Sequence, residues 1–152
     1  MSSASNNTEE YDGTTWSDGS DMVAGKRAQT VDGTQTAAVA AGGEYTTTNC
    51  QEYDGTSWTA GGTLLAGRSQ HYGFGTLANT IITGGVGYLA TSEQYDGTCW
   101  SSIESMPVGK ATGASFGSAG TGIAAQGHTG SLTNSTYKYV TAVFTARTLS
   151  NS

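Results

Sequence analysis

His71 and His128 are the two side chains of this 152-residue sequence best suited to ligate a metal or carry a proton near neutral pH. A zinc centre needs three or four converging ligands. His71 lies in the run Arg68-Ser69-Gln70-His71 and His128 follows Gln126-Gly127, and neither has another cysteine, histidine or carboxylate at a ligand spacing. Asp12, Asp54 and Asp96 could furnish the carboxylate pair of a glycoside hydrolase. Each, however, is followed by glycine, and an Asp-Gly turn accounts for it by backbone geometry. Asp18, Asp21 and Glu104 read as solvated loop charges, and the glycines of Gly117-Ser118-Ala119-Gly120-Thr121-Gly122 lack the Lys-Ser/Thr of a phosphate loop. No nucleophile with its base and no metal constellation emerges, so the expectation is a chain that is not an enzyme and takes no cofactor or metal.

Lys26, Arg68 and Lys110 are half of the six basic residues and recur at a step of 42. They could form a cationic ring on one face, suited to a carboxylate or an acidic sugar. The plainer reading is salt bridging within or between structural units, which a residue kept in every unit more often serves. Cys50 and Cys99 fall at different places in the repeat, which predicts two free thiols in small polar slots rather than a disulfide framework.

The elements that must position these residues are set by that period. Glu10-Tyr11-Asp12-Gly13-Thr14-Thr15-Trp16 returns as Glu52-Tyr53-Asp54-Gly55-Thr56-Ser57-Trp58 and as Gln94-Tyr95-Asp96-Gly97-Thr98-Cys99-Trp100, each 42 residues on. Gly25, Gly67 and Gly109 precede the three cations, and Gly42-Gly43 and Gly84-Gly85 have Gln126-Gly127 as a degenerate third copy. Tyr139 and Phe144 echo Tyr…Trp a fourth time, displaced by two residues.

Each unit divides into four short strands, here a to d: in the middle unit Ser69 to Gly75, Ala78 to Gly84, Ala90 to Tyr95, and a strand from Thr98. Asp-Gly predicts a two-residue hairpin between c and d, pairing Tyr53 with Thr56 and Gln51 with Trp58. That register puts Tyr and Trp on one face of the sheet, so Tyr11, Trp16, Tyr53, Trp58, Tyr95 and Trp100 are expected to form the core between neighbouring sheets. The chain reads as all-β and as a single repeat domain over 1–152. An N-terminal c–d hairpin at about 8–18 is followed by repeats at about 25–60, 67–102 and 109–146.

Composition narrows the partners. The net charge of −6 and the lack of a basic stripe argue against nucleic acid. No apolar run approaches the roughly 20 residues that cross a bilayer, and the N-terminus lacks the pattern of a signal peptide. Glycine fills 23 positions, yet three Trp and eight Tyr at regular places favour order over disorder.

An apolar strand ending in Gly84-Gly85, a Tyr53-Asp54-Gly55-Thr56-Ser57-Trp58 segment and a Gly67-Arg68 pair together resemble the kelch repeat. The likeness covers about residues 9–144, with a shorter period and without the double glycine at Gln126-Gly127. It implies four-stranded propeller blades. The copper site of the galactose-oxidase branch is not implied, because no Cys or His stands in a matching constellation. The wording of the repeat further resembles short kelch-like arrays in structural proteins of marine tailed bacteriophages. That resemblance implies a virion structural component, a capsid decoration or tail-attached accessory protein, made in the host cytoplasm and carried in the phage particle. A propeller closes with roughly four to eight blades. Three blades and a half leave the single chain open: it is a piece of a longer propeller, or its open faces are covered by a partner, the chain itself completing a ring, which is favoured, or a neighbouring virion protein. The alternative is a module binding a host glycan or receptor through exposed Tyr45, Tyr72 and Tyr88.

Overall fold

The computed structural model describes residues 5–132, 135–140 and 143–147. Among them there is no α-helix, only a short 3-10 turn at Glu44–Thr46. A hairpin of β1 (Glu9–Tyr11) and β2 (Trp16–Asp18) comes first. Three four-stranded antiparallel sheets follow, each a meander in chain order, and none closes on itself. The first holds β3 (Thr30–Thr34), β4 (Ala37–Ala41), β5 (Cys50–Tyr53) and β6 (Trp58–Ala60). The second holds β7 (Tyr72–Thr76), β8 (Asn79–Thr83), β9 (Ser92–Tyr95) and β10 (Trp100–Ile103). The third holds β11 (Ala114–Ser118), β12 (Thr121–Ala125), β13 (Thr136–Val140) and β14 (Val143–Arg147). The expected repeat at 109–146 runs partly outside the described residues, at 133–134 and 141–142.

The strands are shorter than the glycine punctuation suggested, and the c–d connection differs from expectation. The two-residue loops join a to b: Thr34 pairs with Ala37 and Thr76 with Asn79. Between c and d the loop has four residues, because Tyr53 pairs with Trp58 and Gln51 with Ala60, not with Thr56 and Trp58. The reason is chemical. The Asp54 carboxylate accepts hydrogen bonds from the backbone N–H of Thr56 and of Ser57, both at 2.8 Å, and so closes a wider turn; Asp12 and Asp96 do the same. Those backbone bonds hold all three carboxyls below the usual carboxylate range.

Hydrophobic cores form at the seams between sheets. One gathers Val39, Ala41 and Cys50 of the first sheet with Ile82, Tyr95 and Trp100 of the second. The next gathers Tyr72, Phe74 and Ile81 of the second with Ala124, Tyr137 and Tyr139 of the third. Ile81 and Ile82, adjacent on β8, thus serve opposite seams, as the two-residue alternation of a strand requires. Strands covered on both faces in this way read as near-continuous apolar runs, and β4, Ala37–Ala41, does so with small side chains. A Cβ at Gly122 would come within 2.1 Å of the Phe74 ring. The first strands of successive sheets are neighbours, β3 against β7 and β7 against β11, so the sheets meet along their leading edges.

Candidate functional site

In the first and second four-stranded sheets the Tyr and Trp side chains reach back to the sheet before. The Tyr53 hydroxyl donates to the Glu10 carboxylate and the Tyr95 hydroxyl to the Glu52 carboxylate. Trp58 Nε1 donates to Thr8 Oγ1 at 3.2 Å, and Trp100 Nε1 to the Gly62 carbonyl at 3.0 Å. Burial, with the bond to Glu52, pushes the Tyr95 hydroxyl well above the ordinary tyrosine range. Tyr53 and Tyr95 are buried, Trp100 is 5% exposed and Trp58 is half-buried. The expectation of a buried core fails at the first pair: Tyr11 is 47% and Trp16 67% exposed. Their rings still pack on each other, with centroids 5.1 Å apart, but among the described residues no sheet precedes them.

The cations do not form a ring open to solvent. Arg68 and Lys110 are buried, and Lys26 is half-buried. Their preceding glycines explain the burial, since a Cβ at Gly67 would lie 1.7 Å from the Thr46 carbonyl oxygen and one at Gly109 equally close to that of Tyr88. With the linker pressed so near, the side chain that follows enters the sheet. Arg68 pairs with Glu93 at 2.5 Å and donates to the carbonyls of Gly84 and Thr91. Glu93 in turn accepts from the backbone N–H of Leu65 and Ala66, at 2.8 and 3.2 Å. Gln51 stands at the same repeat position and brackets Ala24, accepting from its N–H and donating to its carbonyl. Lys110 donates to the Ser135 carbonyl at 2.7 Å and lies 4.3 Å from the Tyr137 ring centroid, and burial pulls its ammonium below the ordinary range. These residues fasten the linkers to the sheets. The signal available in the sequence was the 42-residue spacing of Gln51 and Glu93, which parallels that of Lys26 and Arg68.

Both cysteines are free. Cys99 is exposed in its turn, while Cys50 lies in an apolar seam rather than a polar slot, and burial pushes its thiol up to about 11. Tyr72, expected at the surface, is fully buried and donates to the Gln126 carbonyl at 2.9 Å. Gln126 takes a left-handed φ of 58°, close to the values of 70° and 75° at Gly42 and Gly84, so the degenerate third copy keeps their turn.

Position-specific chemistry appears where the repeat breaks. Asp32, Thr30 and His71 meet at the seam of β3 and β7. Thr30 Oγ1 is 3.1 Å from His71 Nε2. Asp32 Oδ2 and His71 Nδ1 are buried without a hydrogen-bond partner. Burial, then the Arg68 charge, holds His71 down at about 3, and burial raises Asp32 to about 6.

An open cleft of about 260 Å³ is lined by Gln70, Val86, Tyr88, Thr112 and His128. Tyr88 Oη is 2.9 Å from His128 Nδ1, to which Gly130 N–H also donates at 3.2 Å. Thr112 Oγ1 donates to Gln70 Oε1 at 3.0 Å. Aromatic faces beside hydrogen-bonding groups suit a small polar ligand. Tyr45, at 84% exposure, lies outside this cleft. Among the described residues no group of three or more His, Cys, Asp or Glu side chains is placed to hold a metal ion.

The chain matches no protein-family model and no curated protein. Its fold is similar to that of solved structures, among them the structure of YjhT, at a TM-score of 0.78 and 15% sequence identity. The match covers 94% of this chain and 52% of that one, so the chain spans about half the length of its structural neighbour. Likeness at this identity establishes a shared fold alone.

Proposed function

We propose that the chain is a non-enzymatic structural module, an open arc of kelch-like propeller blades displayed on a phage particle as a capsid decoration or tail-attached accessory protein. One observation carries the structural part: the Tyr–Trp pair that seals later seams recurs in the first hairpin with both rings open to solvent. Supporting it, the leading strands β3, β7 and β11 neighbour one another, as blades around an axis would. The fold match leaves roughly as much again of the longer chain beyond the arc. The titratable groups of the repeat support a structural role as well: Glu52 and Glu93 hold seams and linkers, and Asp54 and Asp96 hold turns. The particle assignment is motivated by the wording of the repeat, Tyr53-Asp54-Gly55-Thr56-Ser57-Trp58 with terse glycine-rich connections. Mass spectrometry of purified particles tests it: peptides of this chain should be present at a fixed ratio to the major structural proteins, and their absence removes the virion reading.

A second reading is favoured by the cleft of Gln70, Tyr88, Thr112 and His128, which breaks the repeat and offers an aromatic face with hydrogen-bonding groups. It is a host glycan or receptor site. Glycan-array binding that is lost in Tyr88→Ala supports this reading, and an array without signal counts against a glycan.

A further inference from the structure

The two ends of the array expose opposite halves of one and the same seam. At an internal seam, a leading-strand side chain of one sheet meets the Tyr of the next: Phe74 on β7 packs against Tyr139, with ring centroids 6.0 Å apart. Phe116 holds the same place on β11, opposite Ile123 as Phe74 is opposite Ile81. Yet Phe74 is 1% exposed and Phe116 61%. The complementary half is the Tyr11–Trp16 face of the hairpin, which is equally uncovered.

Charge follows the same polarity. The first 25 residues carry five acids and no base, whereas the segment after Glu104 carries three bases and no acid. The residue preceding each seam Tyr runs Glu10, Glu52, Gln94 and Lys138. Glu10 and Glu52 accept the hydroxyl of the next seam Tyr, and the series ends in the exposed cation Lys138. An acidic head and a basic tail attract each other and disfavour head-to-head or tail-to-tail pairing.

We infer that a second copy of this chain is the occupant of both faces: the Tyr11–Trp16 hairpin of one copy docks on the β11–β14 sheet of another, Phe116 meeting Tyr11 as Phe74 meets Tyr139. This rests on reading the chain as an open arc. The contact is heterologous, one copy's head on the other's tail, and it extends a seam already used twice between four-stranded sheets within the chain. Two arcs closing on each other satisfy both ends of both copies.

The test is the mass of the full 152-residue chain at micromolar concentration, by light scattering and native mass spectrometry, for wild type, Trp16→Ala, Phe116→Asp and an equimolar mixture of the two variants. Both side chains are exposed, so each variant should fold, which circular dichroism and the melting temperature verify. Wild type should be a complex of defined mass that weakens with added salt. Each variant should dissociate about tenfold more readily or worse. The mixture should re-associate, because the tail of Trp16→Ala and the head of Phe116→Asp are both intact. A monomeric wild type, association untouched by either substitution, or a mixture of folded variants that stays monomeric would each overturn the inference. Absence of the protein from particles would remove the virion reading and leave these masses unchanged; a monomeric wild type would leave the particle assay unchanged.

Discussion

Tyr95 donates its hydroxyl to Glu52, a residue of the preceding sheet, and Tyr53 does the same to Glu10. The contact repeats with the period of the sequence and joins successive units. It ties the aromatic motif to the seam rather than to the interior of any one sheet, and the stability of the array follows from it.

Truncating a tryptophan should therefore cost according to whether a sheet lies beneath it. Trp100→Ala, in the closed seam, is expected to lose about 3–5 kcal/mol in chemical denaturation. Trp58→Ala should lose less, since its ring is half-buried, and Trp16→Ala of the isolated chain should stay within about 0.5 kcal/mol. Equal losses for all three would mean that the seams are not the source of stability.

The ion pair of Arg68 and Glu93 is buried on both sides, so removing one partner strands a charge. Glu93→Ala should destabilise by about 3–5 kcal/mol, whereas the double replacement Arg68→Met with Glu93→Leu should cost clearly less than Glu93→Ala alone. Thermal melts of the two variants make the comparison, and a double variant at least as unstable as the single one would contradict it.

His71 is held neutral in the folded chain, its titration moved down to about 3 from an ordinary 6.5. The unfolded chain takes up this proton first, so the contribution of His71 to stability is present above pH 6.5 and is lost as pH falls toward 3. His71→Gln, which installs the residue found at the equivalent Gln29, should flatten that part of the profile. Denaturation midpoints measured across this range should show the wild type falling away faster on the acid side.

Asp32 has the opposite sign. Its folded value is raised to about 6 from 3.8, so the folded chain keeps the proton longer and stability declines as pH rises between the two values. Asp32→Asn should raise the melting temperature above pH 6 and bring no such gain below pH 4. An equal gain at both ends would mean that the carboxyl does not titrate in the buried seam.

The repeat was legible because Tyr, Asp-Gly and Trp recur at one step, and the order of four strands followed from glycine punctuation. The c–d register was not, because Asp-Gly serves both a two-residue turn and the four-residue loop in which Asp54 gathers two N–H groups. Trp16 and Trp100 stand in the same motif, and nothing local distinguishes the covered ring from the bare one; only the presence of a preceding sheet does. Burial of Arg68 and Lys110 depends on how closely Gly67 and Gly109 approach another loop, a distance no spacing encodes. The meeting of Asp32, Thr30 and His71 escaped for a related reason. These residues break the repeat at different positions and converge only when β3 lies beside β7.

Hydrogen exchange read peptide by peptide at low and high protein concentration tests the open arc most directly. Amides of the hairpin over 9–18 and of β11 over 114–118 should become protected together as concentration rises, while those of β8 over 79–83 stay protected throughout. A hairpin and a β11 whose exchange is the same at every concentration, or a β8 that exchanges as fast as they do, would contradict it.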